Sequence, residues 1–257
     1  MPNFADSSRP PSLLSPRSNA APARTATAPF TFPTPQTLLL PKLYRLARIT
    51  EVSPTLTPAH FDIRNRPSSA ELFTTYKNLA RPLKRYRNDD TVVKAFFHCL
   101  VGGYIEFAPW APGGRAQSPE VMHHDYTHFY LRLMHAVTGV GVVPWNNRSS
   151  ETYARAARIK TRQRRVLLTE EVPGPGVGDG RRSGRLLGLG PGMAGVGDCV
   201  VIAEGARVPF VVRQVTGQAD DKEEDRWMLV GECYVHGMMD GEVVKVEGVQ
   251  VESMLLV

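Results

Sequence analysis

From position 164 onward the chain breaks into short apolar runs, at 164–169, 186–189, 199–203, 208–215, 227–235 and 243–246, each bounded by glycines or acidic turns. None is as long as an ordinary helix, and no helical period lies between them. Strands this short leave unpaired edges, so closely spaced runs without intervening helices are expected to curl into a small antiparallel barrel over 164–252. The acidic stretch 220–225 reads as a solvated hairpin tip between two of the longest strands.

Ahead of that region, between about 68 and 165, the period is helical. Ser68 and Glu71 have the spacing of a capping box before Leu72, Tyr76 and Leu79, and Pro82 ends the segment. Asp90 is placed to cap a second helix whose apolar face is Val93, Phe96, Phe97 and Leu100, stopped by Gly102 and Gly103. Ser118 and Pro119 open a third, with Tyr126, Phe129, Tyr130, Leu133 and Val137 on one face. A fourth, over 151–163, turns Tyr153, Ala156 and Ala157 inward. The predicted class is therefore α+β, with a helical region at 42–163 packed against the barrel.

Residues 1–41 carry nine of the 21 prolines among Ser, Ala and Thr, with Asp6 as the only acid, so they are expected to form a disordered tail. The same prolines argue against the continuous amphipathic helix of a mitochondrial leader. No run of about 18 apolar residues predicts a membrane span. Cys99, Cys199 and Cys233 form no CxxC pair, which points to a reduced, cytoplasmic protein. Much of the formal charge of +6 lies in the tail and in the run 155–165, so the whole-chain value says little about an anionic partner.

Four constellations carry possible chemistry. Gly190-Pro191-Gly192-Met193-Ala194-Gly195 spells a dinucleotide pattern, but a strand rather than a helix is expected after it, so a turn is the better reading and no cofactor is expected. His124 and His128 have zinc-protease spacing and are the candidate metal ligands. By helical projection they share a face with His135 opposite Tyr126, Phe129 and Leu133, which reads as a solvated face with no metal. His236 stands near Glu232, Cys233, Asp240 and Glu242. On a strand Cys233 and His236 point to opposite sides, which spoils a nucleophile pair, and Glu232 and His236 read as polar residues satisfied at a barrel rim. Arg155, Arg158, Lys160, Arg162, Arg164 and Arg165 could track phosphates. Only Phe210, Trp227 and Tyr234 are available to stack on bases, so a charged helix exit is the plainer reading.

The residues Gly188, Gly190, Pro191, Gly197, Asp198, Pro209, Phe210, Arg213, Gly231, Glu232, Cys233, Tyr234, His236, Gly237, Asp240, Gly241 and Glu242, in this order and spacing, resemble the C-terminal barrel region of fungal heterokaryon-incompatibility (HET domain) proteins. In such proteins an arginine-rich strand directly precedes the Gly-Leu-Gly-Pro turn. Residues 164–169 resemble that strand, and 172–183 resemble an insertion. The resemblance implies a fungal protein linked to nonself recognition and programmed cell death, and the upstream effector, the HET domain, has no counterpart in residues 1–67. It therefore suggests a truncated family member. Most of the signature is glycine and strand apolars, which serve the scaffold; Gly188, Gly190 and Gly197 suit turns of positive φ. The expected function is a non-enzymatic accessory or interaction module with protein partners, ahead of nucleic-acid binding through 155–165 and of a hydrolase with an unrecognised site.

Overall fold

The computed structural model describes residues 38–83, 86, 90–103, 119–141, 147–172, 184–215, 226–239 and 250–257. Residues 1–37 of the tail expected at 1–41, residues 173–183 of the insertion, the acidic tip, the run 243–246 and Asp240, Gly241 and Glu242 lie outside the described residues, while 38–41 are strand rather than tail and Val172 ends a strand. The first strand, β1 (Leu38–Val52), has no counterpart in the sequence reading, which placed it partly in the tail and partly in the helical region. Its apolar alternation is interrupted by register shifts between Leu40 and Leu43, between Arg45 and Ala47, and between Ile49 and Glu51. Pro41, which has no N–H to donate, falls within the first of these.

Four helices follow: α1 (Arg66–Thr75), continued by a π turn at Tyr76–Ala80, α2 (Val92–Leu100), α3 (Pro119–Thr138) and α4 (Asn147–Lys160). Two caps differ from expectation. Asn65, not Ser68, caps α1, its side chain accepting the Ser68 N–H, and Thr91, not Asp90, caps α2 by accepting the Lys94 N–H. Asn and Thr are as able as Ser and Asp to accept a first-turn N–H, and with Thr91 in that role the Asp90 carboxylate bonds elsewhere. The predicted apolar faces are correct: Phe96, Phe97, Leu100, Tyr126, Phe129, Leu133, Tyr153 and Ala157 are all buried.

The remaining strands are β2 (Arg164–Val172), β3 (Gly184–Pro191), β4 (Cys199–Ala203), β5 (Phe210–Val215), β6 (Arg226–Glu232), β7 (Tyr234–Val235) and β8 (Gln250–Leu256). The α+β class holds, but a closed, purely antiparallel barrel does not. Pairings run β4–β5–β6–β8–β1 and return from β1 to β4, yet the β6–β8 seam is parallel and rests on two register pairs, Arg226 with Leu255 and Trp227 with Leu256. β2, β3 and β7 extend from the far end of β1 as a separate wing. The single strand read at 227–235 is broken at Cys233 into β6 and β7.

Three buried clusters result. The helices pack on one face of the wing, meeting Val166, Leu168, Leu187, Leu189 and Tyr234. The other face of the wing packs on β1, β4 and β5 through Leu167, Leu186, Ile49, Val200 and Ile202. Alternate residues Cys199, Val201 and Ala203 turn the opposite way, towards Leu43, Val212, Trp227 and Leu256. Arg45 stitches the parallel seam: it forks onto Glu252 at 2.6 and 2.9 Å while its guanidinium lies 5.0 Å from the Trp227 ring centre.

Of the signature glycines assigned to turns, only Gly197, at φ +93°, is in a left-handed turn. Gly188 and Gly190 sit inside β3, where a Cβ at Gly188 would stand 2.7 Å from the Tyr234 carbonyl oxygen and one at Gly190 would stand 2.5 Å from Leu167 Cδ1. They permit close strand packing rather than an unusual φ. Gly188→Ala is expected to lower the unfolding free energy by about 1–3 kcal/mol in urea titration. Gly195→Ala, whose Cβ would meet nothing nearer than 3.5 Å, is expected to change it by less than about 1 kcal/mol.

Candidate functional site

Two sites emerge, one polar and closed, the other apolar and open. The closed one lies where the helical layer meets the wing. Asp90, released from capping, accepts a hydrogen bond from His236 Nε2 at 2.8 Å across 146 positions of sequence. Its second carboxylate oxygen accepts from Lys94 Nζ. The Tyr234 hydroxyl lies 2.9 Å from His236 Nδ1. Tyr86, from the connection between α1 and α2, donates to the His236 carbonyl at 3.0 Å and accepts from the Leu187 N–H at 3.0 Å. Facing a carboxylate, which can only accept, Nε2 is the donor of the Asp90 bond, and Nδ1 is occupied by the tyrosine hydroxyl.

His236 is thus not a barrel-rim residue but a pin at a buried seam, 5 % exposed. Burial acts to raise the Asp90 carboxyl, but hydrogen bonds from His236 and Lys94 outweigh it and hold the group well below the usual carboxylate range. His98 stacks edge-on to His236 at 5.3 Å between ring centres, and its buried Nε2 has no hydrogen-bond partner. Burial, reinforced by repulsion from His236, pushes His98 down to about 3. No nucleophile stands ready at this seam: burial pushes the Cys99 thiol far up and Cys233 up to about 12. Cys233 packs into the core behind the wing while Tyr234 turns towards the helices, the opposed arrangement expected from strand alternation.

The open site is the glycine-rich turn between β3 and β4. Asp198, 3 % exposed, accepts the Gly195 N–H at 2.8 Å and a forked pair from Arg213 at 2.8 and 3.0 Å. Arg213 also donates to the Met193 carbonyl at 2.8 Å, Arg165 to that of Ala194 at 3.0 Å, and Arg48 to that of Gly197 at 3.0 Å. Three arginines from three strands therefore hold the turn by its main chain, and while Ala194 is buried two of its apolar side chains point out: Met193 is 76 % and Val196 66 % exposed. Met193 borders one cleft of about 570 Å³ and Val196 another of about 610 Å³. A bulge in β6 opposite Val211 and Val212 leaves Val230 unpaired with β5 and lining the first cleft. The turn is followed by β4, not by a helix, so the dinucleotide pattern lacks the helix N-terminus its chemistry requires.

Residues 177–256 match the Het-6 beta-barrel domain family. Over 57 residues the chain is 46 % identical to heterokaryon incompatibility protein 6, OR allele, of Neurospora crassa, a stretch that is 22 % of this chain and 8 % of that protein. The C-terminal third is a HET-family region. No solved structure matches the chain.

The Het-6 region begins after β2, so β1, β2, Tyr86 and Asp90 lie outside the matched residues while Asp198, Arg213, Tyr234 and His236 lie inside. Its last strand and β4 both pair with β1, and its buried histidine pairs with Asp90. The Het-6 segment alone is an incomplete sheet. Pro209 accepts the Cys233 N–H at 2.9 Å, which joins the start of β5 to the break between β6 and β7, and Arg164 donates to the Glu232 carbonyl at 3.1 Å.

Much of the basic run is turned inward. Arg158 donates to the Phe61 carbonyl, Arg164 and Arg165 bond as above, and Lys160 is buried, leaving Arg155 and Arg162 exposed. Trp227 and Tyr234 are buried, so neither offers a stacking surface. His124 and His128 lie side by side with ring centres 4.1 Å apart, and His124 Nδ1 is 3.2 Å from Ser149 Oγ on α4. The face is only partly solvated, because His128 Nδ1 is buried. Among the described residues no group of three His, Cys, Asp or Glu could hold a metal ion, and no helix is long and apolar enough to cross a membrane.

The seam has a definite pH signature. A histidine held neutral when folded binds its proton more readily when unfolded, so stability is expected to fall as pH drops from about 6.5 towards 3. Asp90, whose folded pKa is depressed, adds a second loss that begins below about pH 4. Chemical denaturation across this range checks both, and His98→Phe should flatten the upper part of the curve while leaving the lower part.

Proposed function

We propose that this protein is a non-enzymatic contact module of fungal heterokaryon incompatibility, engaging a protein partner through the turn between β3 and β4. One observation carries the reading: Met193, the most exposed large apolar side chain among the described residues of the Het-6 region, stands on a turn whose main chain is clamped by Asp198, Arg48, Arg165 and Arg213. A mobile loop would lose entropy on binding, and a clamped one has already lost it in folding. Exposed methionine suits adaptable apolar contact. The polar residues that could otherwise serve catalysis are bonded to one another beneath the helical layer, where their buried pairing specifies how the two layers meet.

The double variant Met193→Ser, Val196→Ser is expected to keep the wild-type melting curve and to abolish the incompatibility reaction between fused hyphae when it replaces the native copy. A deletion strain that still reacts as the wild type does, or a double variant that reacts normally, overturns the proposal. His236→Gln is expected to lower the melting temperature and, below that temperature, to leave the reaction intact. A normal melting curve with a lost reaction would instead place chemistry at the seam.

A further inference from the structure

The two sides of the clamped turn differ in charge. The second cleft is bordered by Glu51 and Glu71, each already paired, with Arg185 and His60 respectively. The first cleft, on the Met193 side, has Arg162, Arg164 and Glu232 among its lining, and of these Arg162 is exposed, its side chain making no hydrogen bond or ion pair among the described residues. Beside it Gln163 is held at φ +55°, in the left-handed region, by a bond from the Gly192 N–H to its carbonyl at 2.9 Å. That conformation is strained for a residue other than glycine. It sets Arg162 and Gln163 on the rim, while Pro191, Met193 and Val230 supply apolar lining. The arginines behind the cleft are occupied: Arg165 and Arg213 by the turn, Arg164 by Glu232. Asp198 offsets the charge of Arg213 and Glu232 that of Arg164, so the net positive charge here rests with Arg162 and, behind it, Arg165.

We infer that the Met193 cleft takes an extended segment of a protein partner in which a carboxylate side chain stands beside a large apolar one. This rests on the reading of the turn as a contact surface and adds the chemistry of what it contacts. The carboxylate meets the unpartnered guanidinium of Arg162, whose planar fork suits two parallel hydrogen bonds, and the apolar neighbour fills the space between Met193, Pro191 and Val230. A cleft of about 570 Å³ is within the range of a few side chains. A protein segment fits better than a small molecule because the apolar surface does not end with the cleft: it continues over the turn through Val196 into the second one. A nucleic-acid strand fits poorly, since the neighbouring cations are bonded inward and Trp227 and Tyr234 are buried.

The test is selection of a displayed random-peptide library on the full chain, with Arg162→Glu as the counter-selecting target, followed by fluorescence anisotropy of the recovered peptides. Recovered sequences are expected to place Asp or Glu next to Leu, Ile, Met or Phe. Their affinity should weaken about tenfold in Arg162→Glu and again in Met193→Ser. Arg207→Glu, an equal charge change on the turn after β4, should leave it unaltered. Basic or purely apolar peptides, peptides indifferent to Arg162→Glu, an empty selection, or a labelled single-stranded oligonucleotide that binds and is lost in Arg162→Glu would each overturn the inference. If it fails while Met193→Ser, Val196→Ser still abolishes the hyphal reaction, the turn remains the contact surface and only the partner chemistry is wrong. If the double variant reacts normally, the contact surface itself is wrong.

Discussion

The pairing of β1 with three other strands is the constraint on which the rest of the sheet depends. Leu43 pairs with Ala203 of β4 on one side and Glu252 of β8 on the other, and eight residues later Glu51 pairs with Leu168 of β2. A regular strand has two edges and serves two neighbours at any point. Only a strand long enough to change neighbours along its length can join a ring-like set to a separate wing. The register shifts in β1 accommodate that exchange, each inserted residue re-aiming the strand. Without β1 the matched Het-6 strands would expose the edges of both β4 and β8, a hazard for aggregation.

On this sheet the usual distribution of polar and apolar groups is inverted at two places. A charged and aromatic polar network is buried between layers, while methionine and valine are raised into solvent on a rigid turn. The two inversions have different physical roles. Asp90, Lys94, His236, Tyr234 and Tyr86 satisfy one another, so burying them costs little beyond desolvation and selects one docking of helices on sheet out of many that apolar packing alone would accept. Met193 and Val196 satisfy nothing within the described chain, and the arginine clamps that keep them in place consume the hydrogen-bonding capacity of the turn's main chain.

Some of this was legible in advance. The helix faces followed from the spacing of Phe96, Phe97 and Leu100 and of Tyr126, Phe129 and Leu133, because burial on one side of a helix imposes its period on the sequence. Strands β2 to β5 were legible from their short runs of valine, leucine and isoleucine and their bounding glycines. β1 was not, because Pro41 and three irregularities break the alternation by which a strand is recognised. The parallel seam was equally hidden: Arg226 and Leu255 are far apart in sequence, and neither says in which direction its neighbour runs.

Within the candidate sites the division is similar. Asp198 bonding its own turn was foreseeable, since an aspartate three residues beyond a glycine can reach that N–H, and so was the opposition of Cys233 to the histidine side of β7. The partner of His236 was sought among its neighbours Asp240 and Glu242, whereas the structure supplies Asp90 from 146 positions away. By itself, then, the amino-acid sequence determined the helices and the strands from β2 to β6, though not β1 or β8, which helix faces are apolar, and the family of the C-terminal region, because these are written in local spacing. Only the tertiary structure decided where the sheet begins, which polar groups are sealed, and which apolar ones are displayed. Those depend on contacts between separate elements, from Arg213 with Asp198, 15 positions apart, to His236 with Asp90, 146 apart, and no local pattern records them.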